Sequence, residues 1–537
     1  MKTVVASLLL LIVMSGSAQM QKGPKLVVGI VVDQMRPDYL TRYYDRFGPD
    51  GFKRLMTKGF RSENAFIPYT PTYTACGHTC VYTGSVPALH GIVGNNWYDK
   101  DKKKNVYCTD DDTAQTVGGT SVAGKMSPRN MWATTVTDEL RLSTNFRSKV
   151  VGIALKDRGA ILPAGHSANA AYWFDNANGA WISSTFYMKS LPDWVNALNA
   201  KRLPDAYMAK PWTTLYPIET YVQSTADAIA YENGVAIGGT TFPHKVDLSQ
   251  ADKYEDFRTT PYGNTLTADM AKAAVEGEAL GTRGITDFLA VSFSSTDYVG
   301  HAFGPNSIEV EDVYLRLDRD LADFFNYLDA KIGKGQYLVF LTADHAVAHV
   351  PAFAKEHKLP AGLSNTTAIR SALNEALQKE FGVANLALTI MNYQVHLNYE
   401  AITLNKLDKA SIKRTIIKTL MMQPGVLRAV DLENLPAAAL PHQVEMMLTN
   451  GYNQKLSGEV QFVYKSGWFD GGEKGTTHGS WNPYDAHIPL LWYGWGVKAG
   501  SSNKEVYMTD IAPTVAALLQ IQMPSASIGK VINLSAD

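Results

Sequence analysis

Short apolar runs with little alternation recur along the chain, and most of them end in polar residues. Leu26 to Val32 precedes Asp33, Val150 to Leu155 precedes Lys156, and Phe288 to Phe293 precedes Ser294-Ser295-Thr296-Asp297. Tyr337 to Leu341 precedes Thr342-Ala343-Asp344-His345, and Ile488 to Tyr493 follows His478. Runs of this kind suit strands buried on both faces of a parallel sheet. Between them, Glu309 to Leu328 carries Val313, Leu317, Leu321, Phe324 and Leu328 on one stripe, the period of an amphipathic helix. Asn264 to Glu278 and Thr509 to Leu519 read as helices too. Strands alternating with helices predict an α/β fold, a doubly wound, mostly parallel sheet between helices. Ligands in such sheets gather at the carboxyl ends of the strands.

Two stretches fit the alternation poorly. Residues 161–261 are rich in Asn, Ala, Pro and aromatics, with Trp173, Trp181, Trp194 and Trp212 suggesting a packed insertion. Residues 352–472 combine helices (Thr367 to Phe381, Lys409 to Met422) with strands (Leu386 to Leu397, Glu459 to Tyr464) and read as a small α+β module. The expected order is therefore core 19–160, insertion 161–261, core 262–351, module 352–472 and core 473–537. Both inserted segments leave the core beside polar strand ends, where they can cap a site.

The first residues read as a signal peptide spanning 1–18. Lys2 is followed by an apolar stretch from Val4 to Val13, then by Ser15, Gly16, Ser17 and Ala18. No later segment is apolar for long enough to span a membrane. A periplasmic or secreted protein is expected, and a monomer. The 537 residues can bury a large core, and 45% hydrophobic with 19% charged residues is an ordinary globular balance. A net charge of -1 without a long basic run argues against nucleic-acid binding. Cys76, Cys80 and Cys108 are too few for a disulfide scaffold; one pair could bridge.

The chemistry lies in Asp33, Asp297 with His301, Asp344-His345 and His478. Three carboxylates and three imidazoles make two three-ligand metal sites with open positions, as a two-metal hydrolase requires. Asp297 and His301, four apart, can aim at one ion from a helical turn or a loop, and Gly300 and Gly304 favour the loop. Asp344-His345 can converge where the chain turns sharply after its strand. His478 lies in the small-residue run Gly475-Thr476-Thr477-His478-Gly479. Alone, Asp33 reads better as a turn or helix N-cap residue than as a ligand, and spacing does not exclude His78, His90, His166, His349 or His487 as ligands. Oxygen and nitrogen ligands suit zinc, and also manganese or cobalt. Thr74, before Ala75-Cys76-Gly77-His78, stands where a helix can open and attract an anion.

In this order, Asp33, Thr74, Asn95, Asp297, His301, Asp344, His345 and His478 resemble the alkaline phosphatase superfamily. Tyr73-Thr74-Ala75-Cys76-Gly77-His78, His90 to Asp99 and Thr342-Ala343-Asp344-His345 resemble its nucleotide pyrophosphatase/phosphodiesterase branch. Lys156-Asp157-Arg158 after a core strand is similar to the Lys-x-Arg of PafA-type monoesterases near that branch. In extended geometry Lys156 and Arg158 share a side while Asp157 points away. Two cations favour a dianionic monoester, and Arg can hold two of its oxygens.

The resemblance implies two Zn2+ ions, one held by Asp297, His301 and His478, the other by Asp33, Asp344 and His345 beside Thr74. It implies Thr74 as nucleophile, a phosphothreonine intermediate, and Asn95, Lys156 and Arg158 on the phosphoryl oxygens. The expected substrates are small phosphate monoesters. A diesterase on the same scaffold and a non-catalytic metal-binding relative are the competing readings.

Overall fold

The computed structural model describes residues 23–234 and 239–534; the segment read as a signal peptide lies outside them. An 11-stranded sheet forms the centre. Five neighbouring strands run parallel: Tyr337–Thr342, Leu26–Val32, Asp287–Phe293, Val150–Ala154 and Ala170–Asp175. Every residue of these five strands is buried. That burial explains why their sequences lack alternation.

Helices flank this sheet. Thr74–Thr83 and Asp157–Ala164 pack together, while Tyr262–Gly277 and Ser295–Phe303 pack on Ile308–Leu328. The chain is thus the α/β sandwich its pattern predicts. Gly29 leaves room for Tyr82 of Thr74–Thr83, whose hydroxyl donates to Gly29 O at 3.2 Å, because a Cβ there would collide with that hydroxyl.

Three details differ from the reading of the sequence. The apolar run at 488–493 is broken by Pro489 into His487–Ile488 and Leu490–Gly494, and the second piece pairs antiparallel with Tyr337–Thr342. Residues 161–261 are not all outside the core, since Ala170–Asp175 and Ala180–Ser184 extend the main sheet. Their aromatic side chains, including the buried Trp173 and Trp181, suit strands as well as a packed cap. The run 386–397 is a hairpin of Ala387–Met391 and Gln394–Leu397.

That hairpin belongs to a four-stranded sheet with Val460–Tyr464 and Val426–Asp431. Helices Thr366–Phe381 and Lys409–Met421 accompany it, and Leu373, Leu377, Val395, Ile412, Ile416 and Phe462 give it a core separate from that of the main sheet. Cys76, Cys80 and Cys108 are buried free thiols, so no pair bridges.

Candidate active site

The parallel strands deliver their polar ends to one edge of the sheet. Asp33 follows Val32 directly, and its N–H still donates to Phe293 O at 3.0 Å. Asp344 and His345 follow the strand Tyr337–Thr342. Asp297 and His301 sit one turn apart on helix Ser295–Phe303, not on a loop. Gly300 is needed there for space, since a Cβ would collide with the Gln34 side chain. His478 arrives from the small-residue loop before Pro483–Ala486.

The three carboxylates are almost wholly buried. Asp33, Asp344 and His345 bring ligand atoms within 4.8 Å of one another, and so do Asp297, His345 and His478. His301 reaches the second group from its more exposed rim, with Nε2 3.1 Å from Asp297 Oδ1. His345 Nε2 lies between the groups, 3.5 Å from Asp33 Oδ1 and 3.4 Å from Asp344 Oδ2.

The tautomers are set by backbone carbonyls. Nδ1 of His301 faces Thr476 O at 2.8 Å, Nδ1 of His478 faces Thr72 O at 2.7 Å, and Nδ1 of His345 faces Ala346 O at 3.1 Å. A carbonyl can only accept, so each Nδ1 carries a proton, and at His345 and His478 the Nε2 lone pair is left toward the carboxylates. Burial would lower His301, but Asp297 outweighs it and raises that imidazole, which pairs with the carboxylate through Nε2. Lone pairs facing carboxylate oxygens at these distances repel unless a cation lies between them. Two ligands on a tetrahedral zinc stand roughly 3.3 Å apart, given bonds of about 2.0–2.1 Å. The observed separations fit that value.

Charge leads to the same conclusion. Burial and the neighbouring Asp297 raise Asp33, and burial with Asp33 raises Asp344 well above the carboxylate range. Burial would raise Asp297 too, but His301 and Lys156 outweigh it and hold that carboxyl well below its usual value. Asp33 Oδ1 and Asp344 Oδ2 accept no hydrogen bond among the described residues. Burial lowers His345 to about 3. Burial, then His345 and His301, push His478 well below the usual imidazole value. The His345 and His478 rings stack 3.4 Å apart, an arrangement two imidazolium cations could not share. Neutral imidazoles at His345 and His478, with His301 paired to Asp297 and the carboxylates crowded beside them, make a donor set suited to divalent metal.

Thr74 is the first residue of helix Thr74–Thr83, with Tyr73 as N-cap. It is therefore not itself the cap. Its Oγ1 lies 3.4 Å from His345 Nε2. Asn95 Oδ1 accepts from Ala75 N at 2.9 Å, so Asn95 stands over this helix start while Asn96 belongs to the strand Asn96–Asp99 and is exposed. Gly77 is required by the close approach of this helix to the Asp344 backbone.

Lys156 caps helix Asp157–Ala164, so Lys156-Asp157-Arg158 is a helix start and not an extended segment. Lys156 Nζ lies 2.7 Å from Asp33 Oδ2 and 2.5 Å from Asp297 Oδ2. Burial disfavours the ammonium, but Asp297 and Asp33 overcome this and keep it charged. Arg158 Nη1 donates to Tyr107 OH at 3.0 Å, and its buried Nε has no partner among the described residues. Asp157 is not idle: it accepts from Tyr107 OH at 2.6 Å and from Thr109 Oγ1 at 3.1 Å. Helix Asp157–Ala164, which starts with this ammonium and guanidinium, packs against helix Thr74–Thr83, and cations at a helix start suit an anion.

The other histidines are occupied elsewhere. His78 Nδ1 faces Thr74 O and its Nε2 faces Ser292 Oγ; burial lowers it to about 4. His90, His166, His349 and His487 join neither ligand group.

Two supporting residues escaped the sequence reading. Gln34, at φ 65°, donates from Nε2 to Asp297 Oδ1 at 2.8 Å and from its backbone to Asp344 Oδ1 at 3.1 Å. Tyr298 lies with its ring 5.0 Å from Lys156 Nζ and 4.5 Å from the Arg258 guanidinium carbon. A left-handed residue between two ligand groups is legible only once the fold is known.

The chain belongs to the type I phosphodiesterase / nucleotide pyrophosphatase family, whose model matches residues 27–485. Within that class it is similar to particular alkaline phosphatases. PhoV of Synechococcus elongatus is 56% identical over 95% of this chain and 92% of its own. PafA of Elizabethkingia meningoseptica is 51% identical over 98% of each. The crystal structure of wild-type PafA matches with a TM-score of 0.92 at 51% identity, covering 95% of this chain and 98% of that one. A PafA variant with one Thr-to-Ser, one Asn-to-Ala, one Lys-to-Ala and one Arg-to-Ala change matches equally, at 0.92.

Proposed function

We propose that this phosphoric monoester hydrolase is an exported, monomeric alkaline phosphatase, periplasmic or secreted, working with two zinc ions. The observation that carries the reading is the placement of Lys156 against the carboxylate cluster, with Arg158 two residues on at the start of a helix that packs against helix Thr74–Thr83. A monoester dianion needs one more positive partner than a diester, and a dry site makes each partner worth more. The names of PhoV and PafA support monoester hydrolysis. The Thr/Asn and Lys/Arg pairs altered in the PafA variant have the spacing of Thr74/Asn95 and Lys156/Arg158 here, which supports the assignment of these four.

Asp297, His301 and His478 would hold one ion, and Asp33, Asp344 and His345 the other. When bound, such ions lower the pKa of a hydroxyl and neutralise charge on oxygens around phosphorus. The chain's own residues do the rest. Thr74 Oγ attacks phosphorus in line, the ester oxygen leaves on the opposite side, and phosphothreonine forms. Water then attacks phosphorus from the vacated side and frees Thr74. Asn95, Lys156 and Arg158 hold the non-bridging oxygens throughout. Metal analysis of the purified protein with a panel of monoesters and diesters tests this reading. Two zinc ions per chain and faster monoester turnover are expected; faster diester turnover would favour the activity in the family's own description.

A further inference from the structure

The α+β module meets the site at a hairpin tip, beside Thr366 and Asp470. Asn392 and Tyr393, which join Ala387–Met391 to Gln394–Leu397, both adopt positive φ, 55° and 62°. Such a two-residue turn is ordinary for Asn or Gly but costly for Tyr. It is pinned from outside the module: Asn392 Nδ2 donates to Asn96 O at 2.9 Å, and Tyr393 OH donates to His478 O at 3.4 Å. Strain held by contacts of this kind concentrates at functional positions.

Beneath this tip is a cavity of about 120 Å³, lined by Tyr73, Asn392, Tyr393, Asp470 and His478 among others. Its place follows from the reaction. With Thr74 beside His345 and assigned, as proposed above, to the Asp33, Asp344 and His345 group, an in-line displacement would expel the leaving oxygen toward Asp297, His301 and His478. The cavity opens on His478.

Its charge is unusual for a site that takes phosphate. Asp470 accepts from Thr366 N at 3.0 Å and Thr366 Oγ1 at 2.8 Å, and no cation pairs with it among the described residues. An unpaired carboxylate near a dianion weakens binding unless the substrate brings positive charge. Two tyrosine rings 6.4 Å apart, those of Tyr73 and Tyr393, line the same space, and aromatic faces with a carboxylate suit an ammonium.

We infer that this cavity is a leaving-group subsite for alcohols that carry an ammonium, so that amino-alcohol phosphates are favoured substrates. The inference rests on the phosphomonoesterase reading above, and the measurements separate the two. Phosphoethanolamine, glycerol phosphate, phosphoglycolate and phenyl phosphate are compared in the parent protein, Asp470→Asn and Asp470→Lys, with inorganic phosphate as inhibitor. In the parent, kcat/KM for phosphoethanolamine exceeds that for glycerol phosphate. In Asp470→Asn that ratio falls about tenfold, while inorganic phosphate, which has no leaving group, inhibits no more weakly. Asp470→Lys shifts preference toward phosphoglycolate, whose leaving group is an anion. Ratios that do not change, or equal losses on every substrate, would overturn the subsite. Absence of monoester turnover in the parent would instead overturn the reading beneath it.

Discussion

Lys156 Nζ lies 2.7 Å from Asp33 Oδ2, so the cation proposed for the phosphoryl group is held in place by a carboxylate of the candidate metal-binding cluster. Lys156→Ala removes a charge-assisted donor from a dry site. It should lower kcat/KM for phenyl phosphate roughly 10²–10³-fold while bound zinc persists, because the ligands remain. Steady-state kinetics with metal analysis on the same sample checks both halves.

Thr74 is buried at a helix start with Oγ1 near His345. Thr74→Ala should abolish turnover yet fold normally, since the lost side chain is small and caps nothing. Thr74→Ser should retain turnover. Acid quenching during turnover of 32P-labelled substrate should trap label on the parent and the Ser variant, and none on the Ala variant.

Gln34 links the two ligand groups through Asp297 and Asp344. Residues that orient ligands typically set metal affinity by about 10–100-fold. Gln34→Ala should weaken zinc binding by that amount in a chelator competition, a measurement independent of catalysis. Affinity equal to the parent's would show that the glutamine only fills space.

A pH dependence of stability follows from Glu232. Burial, then Glu309 and Asp227, push its carboxyl up to about 9, and Oε2 has no partner among the described residues. A folded pKa above the unfolded one means the folded state keeps a proton that the unfolded state releases. The stabilisation is complete below the unfolded value near pH 4.5 and is lost as pH rises through about 9. Glu232→Gln removes this dependence, so its Tm advantage over the parent should be larger at pH 9 than at pH 6. Equal differences at both pH values would contradict the assignment.

Much of this site could be read in the sequence because strand ends carry it. Asp33, Asp344 and His345 follow apolar runs whose burial the hydrophobic pattern already shows. What escaped depends on contacts between distant segments. Two glycines suggested a loop at Asp297 and His301, yet Gly300 serves packing against Gln34 inside a helix. The pattern of Lys156-Asp157-Arg158 suggests extended neighbours, although the three residues open a helix. The turn at Asn392–Tyr393 was hidden because neither residue is the glycine that a left-handed position usually takes.

The most direct measurement is the ratio of kcat/KM for phenyl phosphate to that for methyl phenyl phosphate, in the parent and in a Lys156→Ala, Arg158→Ala double variant. The account predicts a strong monoester preference in the parent that collapses in the variant, because the lost cations serve the extra negative charge. A parent that prefers the diester, or a ratio unchanged by the double substitution, would contradict it.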